Sequence, residues 1–225
     1  MVEALFWAAA LLAVIFALAL LSRYRKRHAP FYLWWTFSFA FYTLAYITEA
    51  SSVGSHWTLV PYQLYIIASA TLVGTMSVGT SYLAFRKVLA HSYASLITAL
   101  FLVLTISVFV TPPIMHGSWL ALNGGRGGIV GLTQVIYILM ASLGGTIVVV
   151  GALWSWGKTR HYYNLLIAAG AIAAGVGGTL ASQGVGLGIL PAMNIVGLVL
   201  IFLGYAYSRS SQQGRSQSQV ASGSH

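Results

Sequence analysis

The sequence has no cysteine and no aspartate, and its only acidic residues are Glu3 and Glu49. Without cysteine there are no disulfides, no thiolate metal ligands and no cysteine nucleophile. The lack of aspartate removes aspartate-rich metal sites and leaves little scope for paired-carboxylate catalysis. These absences exclude several enzyme classes before any motif is considered.

Charged residues of either sign are also scarce. Only 6% of the 225 residues are charged and 58% are hydrophobic, and the mean hydropathy is +0.83. Ordinary soluble domains carry roughly 25% charged residues. The composition therefore predicts an integral membrane protein. The net charge of +9 then indicates membrane topology and contact with anionic lipid headgroups, not nucleic-acid binding, which would need a basic face on a soluble fold.

Seven apolar runs are each long enough to cross a hydrocarbon core of about 30 Å as a helix. The first run is a span and not a secretory signal, because its basic cluster follows the apolar residues instead of preceding them. We predict an all-α membrane protein with seven transmembrane helices. The predicted spans are residues 3–22, 31–50, 58–85, 93–111, 129–155, 162–182 and 187–207.

The positions of Lys and Arg predict the orientation, because basic residues in short loops stay in the cytoplasm. With the N-terminus outside and the C-terminus cytoplasmic, Arg126 alone lies outside, and the multi-pass protein belongs in the cell membrane. The tail of residues 208–225 is polar and is expected to be a disordered cytoplasmic segment. The basic residues on the inner side are Arg23, Arg25, Lys26, Arg27, Arg86, Lys87, Lys158, Arg160, Arg209 and Arg215.

The first three and the last three predicted helices share an order of features. Each half begins with a basic inner loop and an aromatic entry, and its third helix has a proline followed by an amide: Pro61 with Gln63, and Pro191 with Asn194. This order predicts a parallel 3+1+3 plan, as parallel repeats are a known transporter design. Chance similarity among apolar segments is the alternative.

The span of residues 31–50 carries nine aromatic side chains and Glu49 next to its end. An ionisable residue inside a span is costly unless it faces protein or water, so it is a candidate functional residue. Alternatively, Glu49 is solvated at the end of its helix, since Ser51, Ser52 and Ser55 follow it. The sequence leaves both interpretations open.

Amides and a carboxylate of five spans fall in the same outer leaflet. Because polar groups in lipid must meet one another or water, they predict a ligand-binding polar pocket open to the outside. Helical spacing also places Ser38, Tyr42, Tyr46 and Glu49 on one inward face of the second helix. Simple hydrogen bonding between helices is the alternative. The candidate ligand-binding residues are Glu49, Tyr42, Tyr46, Gln63, Gln134, Gln183 and Asn194.

Small residues recur four apart in the sixth span, at Ala171/Gly175 and Ala174/Gly178. This spacing allows close helix approach in lipid, either within the bundle, which we favour, or at a seam of a homo-oligomer. His56 and His116 lack the short spacing of a metal motif, and no serine or threonine stands in a nucleophile motif. We therefore predict no catalytic residues, no metal site and no cofactor.

Part of the chain resembles the seven-helix N-terminal membrane regions of some bacterial sensor kinases. In those regions the second helix similarly ends in an acid, and a Trp and a Tyr-rich third helix follow. The resemblance implies a sensing role, although no kinase or other signalling domain follows Tyr207. The matching residues are Tyr46, Glu49, Trp57, Tyr62, Gln63 and Tyr65.

The 3+1+3 plan is also similar to that of microbial rhodopsins and of SWEET-type sugar transporters. Rhodopsins bind retinal through a lysine in the seventh helix, whereas Lys26, Lys87 and Lys158 lie at inner loops here. The PQ-loop transporters carry Pro-Gln in both halves, whereas this chain has Pro61 and Gln63 separated by one residue.

Two classes of function remain. The first, which we favour, is a non-enzymatic sensing or accessory module that binds an unknown small ligand or membrane partner from the outside. The second is a small-molecule transporter of the 3+1+3 type. A structural membrane subunit is a third reading and needs no pocket.

Overall fold

The computed structural model describes all residues except 1, 54–56, 116–121, 123–127, 184–187 and 223–225; the side chains of residues 181, 182 and 208–222 are also left undescribed. Over the described residues the chain forms seven long α-helices and no strand. The helices are α1 (Val2–Arg27), α2 (Pro30–Ser52), α3 (Leu59–Ala84), α4 (Lys87–Val110), α5 (Gly131–Thr159), α6 (Tyr162–Ser182) and α7 (Ile189–Ser222).

The prediction of an all-α fold is confirmed over the described residues. Six of these helices are long and apolar enough to cross a membrane, which supports an integral membrane protein. The exception is α2, whose Tyr, Trp and Thr side chains lower its mean hydropathy. The polar tail from residue 208 continues the backbone of α7 as far as Ser222. The predicted disorder of this tail stays a prediction.

Two turns at one end of the bundle are built alike. His28 follows α1 with φ 49° and Arg160 follows α5 with φ 55°, both in the left-handed region. The His28 N–H donates to the carbonyl of Tyr24 at 2.8 Å, and the Arg160 N–H donates to that of Trp156 at 2.7 Å. Such a left-handed cap ends a helix abruptly. The chain therefore reverses within two residues in both places.

Six helices form a closed ring in the order α1, α2, α3, α5, α6, α7, and α1 meets α7. The remaining helix, α4, packs outside the ring against α3 and α5. The most enclosed helix is α3, with 61% of its apolar window buried. Polar groups on the buried faces of α2 and α3 are therefore held in the protein interior.

The sixth helix meets α7 through small residues. A Cβ on Gly197 would lie 2.6 Å from the Gly170 carbonyl oxygen and 3.3 Å from the Ala174 Cβ. No atom lies within 4 Å of a Cβ built on Gly175 or Gly178. Close packing inside the bundle thus uses Gly170, Ala174 and Gly197, whereas Gly175 and Gly178 make no such contact within the described chain.

Candidate functional site

The face of α2 predicted to point inward is buried along its length. Ser38, Tyr42, Tyr46 and Glu49 are all buried, because α2 lies between α1 and α3 and also reaches α7. Ser38 donates to the Leu72 carbonyl of α3 at 2.6 Å. The helical spacing of these four residues therefore predicted their common orientation correctly.

Glu49 is buried in the last turn of α2, with 2% of its surface exposed. The interpretation of Glu49 as a solvated helix-end residue is therefore wrong. The Tyr65 phenol on α3 hydrogen-bonds to the Glu49 carboxyl group, whereas Oε1 has no hydrogen-bond partner among the described residues. A buried carboxyl oxygen without a partner is costly, because it has lost water and gained no donor. It is the feature of this region that most needs an explanation.

A short chain of hydroxyl and amide groups runs from Tyr46 on α2, one turn before Glu49, to α7. The Tyr46 hydroxyl is 3.4 Å from the Tyr42 hydroxyl, and Tyr42 donates to Asn194 Oδ1 at 2.7 Å. Asn194 Nδ2 in turn donates to the Leu190 carbonyl at 2.9 Å. The rings of Tyr42 and Tyr46 lie 4.8 Å apart. These contacts fix the positions of the two phenols. Tyr46 lies one turn before Glu49 in α2, and Tyr42 lies two turns before it.

Three aromatic rings form a cluster beside Glu49 at the same end of the bundle. The ring of Trp57 lies 5.2 Å from those of Tyr62 and Tyr65, and these two lie 6.1 Å from each other. Tyr62 donates to the Leu122 carbonyl in the segment between α4 and α5 at 2.9 Å. The cluster of Trp57, Tyr62 and Tyr65 therefore contacts Leu122 through Tyr62.

The structure brings together four of the seven predicted site residues, namely Tyr42, Tyr46, Glu49 and Asn194. Gln63 is buried on a different side of α3, where its Nε2 donates to the Val108 carbonyl of α4 at 3.1 Å. Gln134 is half-buried on α5, and Gln183 is exposed just after α6. The seven residues were predicted to lie at a similar depth, but they do not come together as a single site.

The predicted site did not include Tyr65, Trp57 and Tyr62. Tyr65 is the residue that contacts the Glu49 carboxyl, and all three rings are buried. In the sequence these residues stand out as a Trp after α2 followed by a Tyr-rich start of α3. The same pattern supported the resemblance to sensor-kinase membrane regions. Of the other five residues behind that resemblance, Tyr65 contacts Glu49 and Tyr46 lies one turn before it. Trp57 and Tyr62 contact Tyr65, whereas Gln63 bonds to α4.

Two cavities among the described residues lie away from Glu49. A groove of about 440 Å³ runs along the far end of α5, lined by Val150, Leu153, Trp154, Gly157 and Lys158. The second is an apolar space of about 10 Å³ between α1, α2 and α7, about the room of one water. The predicted opening from Glu49 to the outside stays a prediction.

The remaining candidates for chemistry are dispersed. Among the described residues, no group of three or more His and Glu side chains is placed to hold a metal ion. His56 and His116 lie outside the described residues. The three lysines, Lys26, Lys87 and Lys158, are exposed at helix ends.

Comparisons with known proteins identified no relative of this chain. No known family, no curated protein and no solved structure matches the chain.

Proposed function

We propose that the chain is a seven-span membrane protein whose outer half holds a binding site around Glu49 for a small cationic or hydroxyl-rich ligand, used for sensing. The observation that carries this proposal is the buried Glu49 carboxyl group. Its Oε1 lacks a hydrogen-bond donor among the described residues, and the Tyr65 phenol bonds to the same group. Binding chemistry suffices for this role, and no catalysis is involved.

In this proposal α2 is the seventh membrane span. It has 23 residues, which correspond to about 35 Å of helix and exceed a hydrocarbon core of about 30 Å. It also lies antiparallel to α3 along its length, with Ser38 bonded to Leu72 and the Trp35 indole bonded to the Met76 carbonyl. A helix packed lengthwise between two spans shares their membrane depth. Its aromatic side chains suit this position, since most are buried in the bundle.

The proposed orientation places the Glu49 end of the bundle outside. Glu3 and Glu49 lie at this end, and the turns at His28 and Arg160 lie at the other. Most of the basic residues flank the second end, in agreement with the rule that they remain cytoplasmic. A ligand would therefore approach Glu49 from outside the cell.

The 3+1+3 plan gains support from the links between helices. Residues 28–29 connect α1 to α2 and residues 160–161 connect α5 to α6, two residues each. Residues 53–58 connect α2 to α3 and residues 183–188 connect α6 to α7, six residues each. Both short links also begin with a left-handed residue. Matching lengths and a matching cap favour two related halves joined by α4.

The chemistry around Glu49 favours a ligand that is positively charged or rich in hydroxyl groups. A carboxyl oxygen without a donor is satisfied by an ammonium or hydroxyl group. The faces of Trp57 and Tyr65 can also attract a cation, which a buried aromatic environment strengthens. The phenol–amide chain to Asn194 would then relay ligand binding from α2 to α7.

Sensing is favoured over transport by the polar groups that lie deeper in the bundle. Thr71, Thr75 and Ser77 on α3 are buried, but their hydroxyls donate to carbonyls of the same helix, those of Ile67, Thr71 and Gly74. These groups are satisfied without a substrate. Transport would require them to exchange such bonds for contacts with a moving ligand.

The test is a ligand panel of alkylammonium ions, quaternary ammonium ions and polyols, read by thermal unfolding in detergent. Glu49→Gln keeps the shape of the site and removes the charge. Glu3→Gln is the matched control, because Glu3 is the only other acid and is exposed. We expect a cationic ligand to stabilise the parent and Glu3→Gln but not Glu49→Gln.

Equal ligand-induced shifts in the parent and in Glu49→Gln would remove Glu49 from the site. Uptake of the same ligand into proteoliposomes that depends on Glu49 would show that the protein is a transporter and not a sensor. Absence of a shift with every member of the panel would favour a structural subunit.

A further inference from the structure

The groove along the far end of α5 is apolar for most of its length and basic at its end. Val150, Leu153, Trp154, Gly157 and Lys158 line it, and their spacing places them on one face of the helix. Val150, Leu153 and Trp154 are exposed. The nine residues from Val150 to Lys158 cover about 12 Å along the helix axis. The groove thus joins an apolar surface to a cation.

The cation at the end of the groove is held in place. Lys158 Nζ lies 4.9 Å from the centroid of the Trp154 ring, a cation–π contact. Gly157 stands between these two residues, and a Cβ built on it would meet no atom within 4 Å. The missing side chain at Gly157 therefore leaves open space beside Trp154 and Lys158.

Lys158 has no acidic side chain as a partner among the described residues. The only acids are Glu3 and Glu49, and both lie at the opposite end of the bundle, because α5 runs parallel to α3 and α3 runs antiparallel to α2. A second copy inserted in the same orientation would carry its exposed Glu3 and its buried Glu49 at that opposite end as well. An anion that fills this groove must therefore come from another kind of molecule.

We infer that this groove is a binding site for an anionic phospholipid, with the headgroup phosphate at Lys158 and an acyl chain along Val150 and Leu153. A phospholipid has an anionic phosphate for Lys158 and an apolar acyl chain for the rest of the groove. Inorganic phosphate has no apolar part. Trp154 suits the boundary between these parts, since Trp prefers the membrane interface. The inference does not depend on the ligand proposed for Glu49.

The experiment measures lipid binding to the purified protein by native mass spectrometry. Phosphatidylglycerol and phosphatidylcholine with identical acyl chains are the two probes. We expect the parent to prefer phosphatidylglycerol by about fivefold, which corresponds to about 1 kcal/mol for one basic residue near an anionic headgroup. Lys158→Gln should abolish this preference, and Lys158→Arg should keep it.

A second variant tests the groove itself. Gly157→Leu should fill the groove without displacing protein atoms, since the space above Gly157 is open, and it should weaken the binding of both lipids. Gly175→Leu is its matched control, because Gly175 is an exposed glycine of α6 with equally open space. Thermal unfolding should show both variants folded like the parent.

Lys87→Gln is the control for charge, because Lys87 is an exposed lysine at the same end of the bundle. An equal loss of preference in Lys87→Gln and Lys158→Gln would show diffuse attraction and overturn the inference. Unchanged lipid binding by Gly157→Leu would overturn it as well. Displacement of the lipid by inorganic phosphate at constant ionic strength would identify a simple anion site instead.

Discussion

The Tyr42 phenol on α2 donates a hydrogen bond to Asn194 Oδ1 on α7 across 2.7 Å, and 152 residues separate the two in sequence. Both residues are buried. In the ring α1 lies between α2 and α7, so this bond is a direct polar connection between the second and the last helix. In the proposed sensing role, it is the contact through which a change at Glu49 would reach α7.

Tyr42→Phe should remove this bond and lower the free energy of unfolding. Hydrogen bonds between membrane helices contribute about 0.6 kcal/mol on average and up to about 1.7 kcal/mol, and we expect the upper part of this range because Asn194 Oδ1 would lose its donor. A double-mutant cycle with Asn194→Ala measures the coupling. Thr43→Val on the same helix is the control, since Thr43 donates to the Phe39 carbonyl of its own helix. Zero coupling between Tyr42 and Asn194 would contradict the proposed relay.

Gly79→Ala should destabilise the bundle by roughly 1–3 kcal/mol through overpacking. A Cβ on Gly79 would collide with Cδ1 of Trp35, and this ring is held by its bond to the Met76 carbonyl at 3.1 Å. Gly175→Ala meets open space, and should be neutral or stabilising by up to about 1 kcal/mol. Unfolding in detergent compares the two variants. Similar stabilities would mean that α2 and α3 pack less closely around Trp35 than described.

Single-cysteine labelling should show the proposed topology directly, because the parent has no cysteine to remove. With a membrane-impermeant thiol reagent on intact cells, we expect labelling of Asn123→Cys and protection of Thr159→Cys until the membrane is opened. Glu49→Cys should resist labelling in both conditions if the ligand site is closed. Labelling of Thr159→Cys on intact cells would invert the bundle and place Glu49 on the cytoplasmic side.

Reconstitution with all-trans retinal should give no red-shifted, hydroxylamine-sensitive absorbance. A Schiff base needs a lysine amine that faces the interior, whereas Lys26, Lys87 and Lys158 are exposed at helix ends. Absorption spectra of the reconstituted protein before and after hydroxylamine are the measurement. A band of this kind would show that one of these lysines can reach the bundle interior and would revive the rhodopsin interpretation.

The sequence by itself determined the helices and the end of the bundle near which several of their polar residues lie. Long apolar runs in lipid must satisfy their own backbone hydrogen bonds, so their length and composition predict helices with little ambiguity. Position along each run predicted that Glu49, Gln63 and Asn194 lie near the same bundle end. Helical periodicity also predicted the inward face of α2, because its polar residues recur at the spacing of one helix face.

Only the tertiary structure decided which of these groups meet, because depth in the membrane does not specify the rotation of a helix about its axis. Gln63 and Tyr65 are two residues apart on α3, which places them roughly 200° apart around it. Tyr65 therefore reaches Glu49, whereas Gln63 bonds to Val108 of α4. The neighbour order of the ring, which brings Asn194 to Tyr42, likewise depends on the packing of all the helices and is not encoded in any single segment.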